Sequence, residues 1–380
     1  MLAPAEAAAY VVVGTITALR QLDAQGWAAS IAVERALVGG VKPPLHLRIA
    51  WEELAPSRAV RFANGARVLL ALEALPNGSL WTQRFPKRDA LVVANRGEAF
   101  SRETGDASIS ALASYLALPQ TERVDAGGAA ALAELARRAD SQLALEALAR
   151  LGALPALATK LGEPGRAALA ALLADATRGD ELRAAALGVA GRRKLLALAP
   201  EARKLAAAGS ALAPFAIEAL GAMGALSRED VQHLAASRDS ATRAAVLRGA
   251  PGALEAGRLA ALAKTDAAGA VRAAALEALV AREGARAADA AVEALFDADA
   301  DVQAAALRAL PAFPAAAAPL LRARVFGARA NDTAAIKPAL AGLSQLGRPG
   351  HAVLSEIEQS HPNEELQRLA RFLLGRDPAH

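Results

Sequence analysis

Residues 271–279 read VRAAALEAL, and residues 302–310 repeat the pattern as VQAAALRAL. Related segments begin at residues 242, 212 and 182, so successive copies are separated by 30, 30, 29 and 31 residues. A period of about thirty residues is typical of repeat architectures. A second apolar stretch lies between copies, for example at residues 287–295. Each unit is therefore predicted to be a hairpin of two short helices.

Alanine supports this prediction, because it makes up 106 of the 380 residues and favours helix over strand. A helix pair of this size cannot bury its apolar face alone, so it must stack on its neighbours. Small alanines let the helices approach closely, while leucines fill the seam between them. We expect a solenoid over residues 136–380, with a polar last helix that begins after Asn363 and caps the stack.

The repeated pattern, an Asp followed by Val-Arg-x-x-Ala-Leu-x-Ala-Leu, resembles the HEAT-like repeats of the short variety also found in phycobilisome lyases. The resemblance covers roughly residues 120–375 and implies an α-solenoid that most often binds proteins. It implies no lyase activity, because no bilin-handling residue can be carried over. It also implies a ladder of Arg and Asp side chains between repeats. The matching residues are Arg183, Arg243 and Arg272, with Asp180, Asp239 and Asp266 nearby, whereas Ala213 and Gln303 depart from the pattern.

The front of the chain has a different composition, since 8 of the 13 aromatic residues lie before residue 117. Apolar and β-branched runs there predict short strands. These runs are residues 11–17, 28–33, 45–51, 68–75, 80–85 and 91–94. Asn77-Gly78, between two of them, is typical of a tight hairpin turn. We expect a small closed or half-closed β-barrel of the OB-like type, with a small sandwich as the alternative.

These observations predict an α+β protein of two domains, an N-terminal small β-barrel (OB-like) followed by an all-α HEAT-like solenoid. The expected divisions are residues 10–100 for the barrel, 101–135 for a connecting helical segment and 136–380 for the solenoid with its C-terminal cap. Residues 1–9 read as the remnant of a secretory signal peptide or as a disordered tail.

Localisation is predicted from the same end of the chain. The front segment resembles the small β-domains that follow the signal in exported bacterial proteins, through the runs at residues 12–15, 32–39 and 65–70. The resemblance implies a periplasmic or secreted protein, and a cytoplasmic protein is the alternative. No uncharged apolar stretch reaches the ~20 residues of a membrane-spanning helix.

Charge is spread evenly along the chain. Residues 1–120 hold 12 basic and 10 acidic residues, and the remainder holds 31 and 29, so each part has a net charge of +2. No domain carries a concentrated excess of basic residues, which makes nucleic acid an unexpected partner.

The sequence lacks the residues or motifs that several kinds of catalytic and metal sites require. There is no Cys, so thiol catalysis and cysteine-ligated metal sites are excluded. The five His have no metal-ligand spacing, and serine-hydrolase and phosphate-loop motifs are missing. Residues 297–301 begin like a calcium loop, but Val302 and Arg308 stand where Gly and Glu are needed. We expect no enzyme, metal or cofactor, although an enzyme with a site on the barrel face remains a third possibility.

Two groups of residues are candidates for binding. Trp51 and Trp81 form a possible patch on the barrel, although core positions are the alternative. Glu52 and Glu53 are adjacent on a predicted strand, so they point to opposite faces and do not form a catalytic pair. Basic clusters at Arg192, Arg193 and Lys194 and at Arg322, Arg324 and Arg329 are the other candidates.

The function predicted is that of a non-catalytic scaffold or adaptor. It would bind a protein partner through the solenoid surface or the domain junction. The alternative is a nucleic-acid-binding HEAT-like protein, similar to a DNA glycosylase, that uses the basic clusters near residues 192–194 and 322–329. The sequence leaves the oligomeric state open.

Overall fold

Five strands close into a barrel near the N-terminus of this computed structural model. They are β1 (Tyr10–Gln21), β2 (Gly26–Val38), β3 (Leu45–Glu52), β4 (Arg67–Ala74) and β5 (Ala90–Val93). The order around the barrel is β1-β2-β3-β5-β4, and β4 pairs back with β1. The β3–β5 pair is parallel and the others are antiparallel. The closed OB-like barrel is therefore confirmed.

The structure describes residues 1–39, 45–52, 62–77, 80–94, 100–102, 105–153, 161–327 and 333–375. Contacts divide the chain into two units, Met1–Glu201 and Ala202–His380. The first unit contains the barrel together with the helices that follow it. Among the described residues, no helix is both long enough and apolar enough to cross a membrane.

Inward-facing aliphatic side chains explain why the barrel closes. Ile16, Ile31 and Ile49 lie on three neighbouring strands and are fully buried. A short strand, β6 (Phe100–Arg102), extends the sheet by pairing with β4 beyond the end of β5.

The predicted strand at residues 80–85 is instead a helix, α2 (Leu80–Arg84). Trp81 and Phe85 lie four residues apart, so on a helix they share a face. Both pack on the outside of the barrel, in one cluster with Ala50 and Ala90. The expected hairpin before it includes Gly78 and Ser79, which lie outside the described residues.

Residues 1–9, expected as a signal remnant or disordered tail, include a helix, α1 (Leu2–Ala7). Leu2 and Ala5 are buried. Glu6 accepts a hydrogen bond from the Tyr115 hydroxyl and pairs with Arg150 at 3.3 Å. Burial and the neighbouring carboxylate raise the pKa of Tyr115 well above its usual value, so the phenol stays protonated and acts as a donor.

The rest of the first unit is helical. Its helices form two layers, because α4 packs on both α5 and α6 while α5 packs on α7. They are α3 (Asp106–Leu116), α4 (Ala126–Arg138), α5 (Ser141–Ala153), α6 (Glu163–Ala174) and α7 (Asp180–Arg192). The next helix, α8 (Ala199–Ala207), spans the boundary between the units.

The second unit is a stack of helical hairpins, as the repeat predicts. Its helices are α9 (Ala213–Met223), α10 (Arg228–Leu234), α11 (Ser240–Gly249), α12 (Ala256–Thr265), α13 (Gly269–Glu283), α14 (Ala288–Ala294), α15 (Ala300–Ala309), α16 (Pro314–Gly327), α17 (Thr333–Ser344), α18 (Arg348–Ser360) and α19 (Glu364–Leu373). One layer runs α9-α11-α13-α15, and α12, α14, α16 and α18 form another. Together with the barrel, this confirms the predicted fold class.

Two rungs of an Arg–Asp ladder join successive repeats. Arg243 binds Asp266 at 2.7 Å, and Arg272 binds Asp297 at 2.6 Å. Gln303 donates to the carbonyl oxygen of Asp297 at 2.7 Å, so it keeps a turn contact without a charge. Arg183 instead lies 3.5 Å from Asp180 on its own helix.

Candidate functional site

The predicted binding residues lie in three separate places. Arg192, Arg193 and Lys194 follow one another at the end of α7. Arg193 donates to the carbonyl oxygen of Gly152 near the C-terminus of α5, where the helix has unpaired carbonyls. Lys194 adopts a left-handed backbone with φ of 52°. The side chain of Arg193 therefore closes the C-terminal end of α5.

The second basic cluster is paired with carboxylates. Arg322 binds Glu356 and lies over the ring of Phe326, 4.9 Å from its centre. Arg324 binds Glu293 and lies 5.4 Å from the ring centre of Phe296. Arg329, the third member expected, lies outside the described residues. Each of the two described guanidinium groups thus has a carboxylate and an aromatic ring beside it.

Trp51 and Trp81 both line one cavity of about 240 Å³ in the barrel. The cavity lies where β3, β4 and β5 adjoin and where α2 begins. Among the described residues, its remaining walls come from two carboxylate side chains and three apolar ones. They are Glu52, Glu73, Pro76, Val92 and Val93.

Strand register places the two carboxylates at this cavity. Glu73 on β4 pairs with Val92 on β5, and Ala50 on β3 pairs with the same Val92. Glu52 is two residues after Ala50, so it follows Ala50 on the same face of β3. The barrel closure therefore unites two acidic residues that are 21 positions apart in the sequence.

Trp51 joins the cavity to the aromatic core. It is only 1% exposed, with its ring centre 6.4 Å from that of Trp27 and 4.6 Å from that of Phe62. Its Nε1 is buried and has no acceptor among the described residues. A buried N–H group without an acceptor is unusual in a folded protein.

The charged side chains among the described lining residues of the cavity are Glu52 and Glu73. Neither Glu52 nor Glu73 makes an ion pair with a described residue. Arg84 lies 4.7 Å from the ring centre of Trp81, but its charge is paired with Asp23. Backbone N–H groups of Gln25 and Gly26, and then Arg84, hold the pKa of Asp23 below its usual value. Asp23 therefore stays ionised and keeps Arg84 occupied.

Trp51 and Trp81 were candidates from the sequence, whereas Glu73 was not. Glu73 follows the buried run of β4 as an ordinary exposed strand residue. Its place beside Trp81 follows from the pairing of β4 with β5. Glu53, the acidic neighbour of Glu52, lies outside the described residues.

The acidic residues of the segment 297–301 make contacts within the fold. Asp297 pairs with Arg272, and the Asp299 side chain accepts from the backbone N–H of Asp301 at the start of α15. Among the described residues, no group of three His, Asp or Glu is placed to hold a metal ion.

Of three comparisons with known proteins, only the comparison with solved structures gives matches. A scan against family models matches none of them, and a search of curated proteins also finds no match. Human deoxyhypusine hydroxylase, solved in complex with glycerol, is 17% identical and covers 68% of this chain and 100% of its own, with a TM-score of 0.32. An engineered protein is 20% identical and covers 66% of this chain and 96% of its own, with a TM-score of 0.21.

The first of these matches corrects the predicted function. Deoxyhypusine hydroxylase is an enzyme with a HEAT-like helical fold, so the expectations of a non-catalytic scaffold and of no enzyme are contradicted. This match does not test the alternative of a nucleic-acid-binding protein similar to a DNA glycosylase. The low TM-score transfers neither a reaction nor a substrate to this chain.

Proposed function

We propose that the protein binds organic cations, and that the cavity between Trp51 and Trp81 receives an ammonium or guanidinium group. The observation that carries the proposal is the meeting, at one cavity, of two indole groups and two carboxylates that make no ion pair with a described residue. Indole rings attract cations through their electron-rich faces. Carboxylates add charge-assisted hydrogen bonds, which are about twice as strong as neutral ones.

The size of the cavity limits what can enter. Pockets for complete drug-sized ligands span roughly 300–1,000 Å³, so about 240 Å³ suits one amine-bearing side chain or a small amine. The guanidinium of Arg84 lies 4.7 Å from the ring centre of Trp81, and this contact supports the proposal that the indole can lie beside a planar cation. The ligand is either a free amine or a Lys or Arg side chain of a protein partner.

Calorimetric titration of the full chain with n-butylammonium, arginine amide and a peptide that contains a single lysine tests the proposal. Saturable binding is expected, with Glu52→Gln and Glu73→Gln each weakening it about tenfold, because each removes one charged acceptor. Glu229→Gln is the matched control, since Glu229 is an exposed residue of α10 outside the cavity.

Two results would overturn the proposal: no saturable binding of any cation, or an equal loss of affinity in the control variant. Tighter binding of the peptide than of n-butylammonium would identify a protein partner as the source of the cation. Equal affinities would identify a small amine.

Two further proposals concern the type of helical repeat and the localisation of the protein. We infer that the repeats are of the short HEAT-like type, supported by their thirty-residue spacing and by the Arg243–Asp266 and Arg272–Asp297 rungs. Export to the periplasm or secretion stays a prediction from the front segment. Fractionation of the native host tests it, and recovery in the cytoplasm alone would contradict it.

A further inference from the structure

A second concave surface lies on the outer face of β1, β2 and β3. It is a groove of about 380 Å³ with a floor of small side chains and an arginine on either side. The lining residues are Ala18, Arg20, Ala28, Ala29, Ser30 and Arg48. It shares no lining residue with the cavity of Trp51 and Trp81.

A bulge in β1 creates one wall of this groove. Ile16 pairs with Ile31 and faces the barrel interior, but the next paired residue of β1 is Ala18, opposite Ser30. The extra residue, Thr17, reverses the alternation of the strand. Without it, Arg20 would follow Ile16 into the core; with it, Arg20 points outward.

Strand pairing then places three polar groups around the groove. Ser30 on β2 pairs with Ala18 on one side and with Arg48 on the other. Arg20 lies opposite Ala28, two residues from Ser30 along β2. Neighbouring strands are about 4.8 Å apart, so the two arginines flank β2 with the Ser30 hydroxyl between them.

The charges in the groove are available to a ligand. Arg20 makes no ion pair with a described residue, and the Ser30 hydroxyl makes no hydrogen bond with one. Arg48 pairs with Asp89 at 2.8 Å, but these side chains are 51% and 44% exposed. Solvent screens an exposed pair of this kind and leaves it weak, so Arg48 can exchange Asp89 for an anion.

We propose that this groove is a binding site for an oxyanion, the phosphate or carboxylate group of a ligand. Planar guanidinium groups match both anions through paired N–H donors, and the Ser30 hydroxyl supplies a third donor from the floor. The small side chains of β2 leave the space that the anion fills. The proposal goes beyond the cation cavity and does not depend on it.

Two titrations of the full chain test this site. Binding of pyrophosphate is measured by the broadening of its ³¹P NMR signal, and binding of succinate is measured by calorimetry. Saturable binding of at least one probe is expected, and the tighter probe identifies the anion. Arg20→Gln and Ser30→Ala should each weaken binding about tenfold or more, because each removes a donor to a charged group. Arg286→Gln removes the same charge from an exposed position on the second unit and should leave the affinity unchanged.

The variant Asp89→Asn distinguishes loss of the site from misfolding, because misfolding would weaken binding whereas this variant should tighten it. It frees Arg48 from its competing carboxylate, so it should tighten binding several-fold. Weaker or unchanged binding in this variant would overturn the proposed role of Arg48. Absence of saturable binding to both probes, or an equal loss in Arg286→Gln, would overturn the site.

Discussion

Asp297 shows how one carboxylate can join two repeats. Its oxygens accept from Nε and Nη2 of Arg272 at 2.8 and 2.6 Å, and from the backbone N–H of Asp299 at 2.8 Å. The bonds from Arg272 hold the pKa of Asp297 below its usual value, against the opposing effect of partial burial. Both partners are mostly buried, at 14% and 15% exposure, so solvent screens the pair less than a surface pair.

Asp297→Asn should therefore destabilise the protein by about 1–3 kcal/mol at pH 7, because a charged hydrogen-bond partner is lost. The folded pKa lies below the unfolded one, so this contribution is present above the ordinary value of 3.8 and is lost as the pH falls through the folded pKa. Urea unfolding at pH 7, 5 and 3 measures it, and the difference from the unmodified chain should shrink at the lowest pH.

Asp289→Asn is the control for this prediction, since Asp289 is exposed and makes no ion pair with a described residue. Its free energy of unfolding should stay within about 0.5 kcal/mol of the original, as for most surface substitutions. A loss as large as that of Asp297→Asn would show that the rung adds nothing specific.

At the scale of elements, glycine sets how closely α9 and α11 pack. A Cβ at Gly249 would fall against the backbone of Glu218 on α9, and one at Gly221 would fall against Gly249 itself. Backbone cannot move aside as a flexible side chain can. The alanine-rich composition predicted close approach of helices, and at these two glycines the backbones of α9 and α11 lie in direct contact.

The same substitution should consequently have opposite effects at two glycines. Gly249→Ala should destabilise by about 1–3 kcal/mol, because the methyl group overpacks the contact of α9 with α11. Gly257→Ala lies in the first turn of α12 with open space around it, and it should stabilise by up to about 1 kcal/mol. Thermal and urea unfolding of both variants measure the signs, and equal signs would contradict this account.

The elements also show what could be predicted from the sequence. The copies at residues 212, 242, 271 and 302 coincide with α9, α11, α13 and α15, because a local repeat determines local helices. The interpretation of residues 80–85 as a strand was wrong. Their apolar content suits either element, and packing of Trp81 and Phe85 on the barrel selects the helix.

The candidate sites were harder to predict, because pairing between distant residues decides them. Glu73 reaches the cavity through the β4–β5 pairing, and Arg20 faces the groove because of the bulge at Thr17. The basic cluster at residues 192–194 looked available, but Arg193 binds Gly152, which is 41 residues away. A local cluster of charge does not reveal such partners.

At the scale of the whole molecule, the chain consists of two compact units, Met1–Glu201 and Ala202–His380, and both contain buried apolar side chains. The first has the aliphatic barrel interior and the outer cluster around Trp81. The second has two apolar clusters that follow the helix stack, one of them around Leu247 and Leu259 and the other around Leu310 and Leu340. In repeat proteins, each hairpin contacts its neighbours, so stability sums over local terms.

The division into two compact units predicts that they unfold in separate steps. Hydrogen exchange followed by mass spectrometry in increasing urea should show residues 1–201 and 202–380 losing protection at different concentrations. Gly249→Ala should lower the midpoint for residues 202–380 and leave the other unchanged, because its overpacked contact lies wholly in the second unit. Loss of protection in both segments at one shared, shifted midpoint would instead mean that the two cores form a single cooperative system.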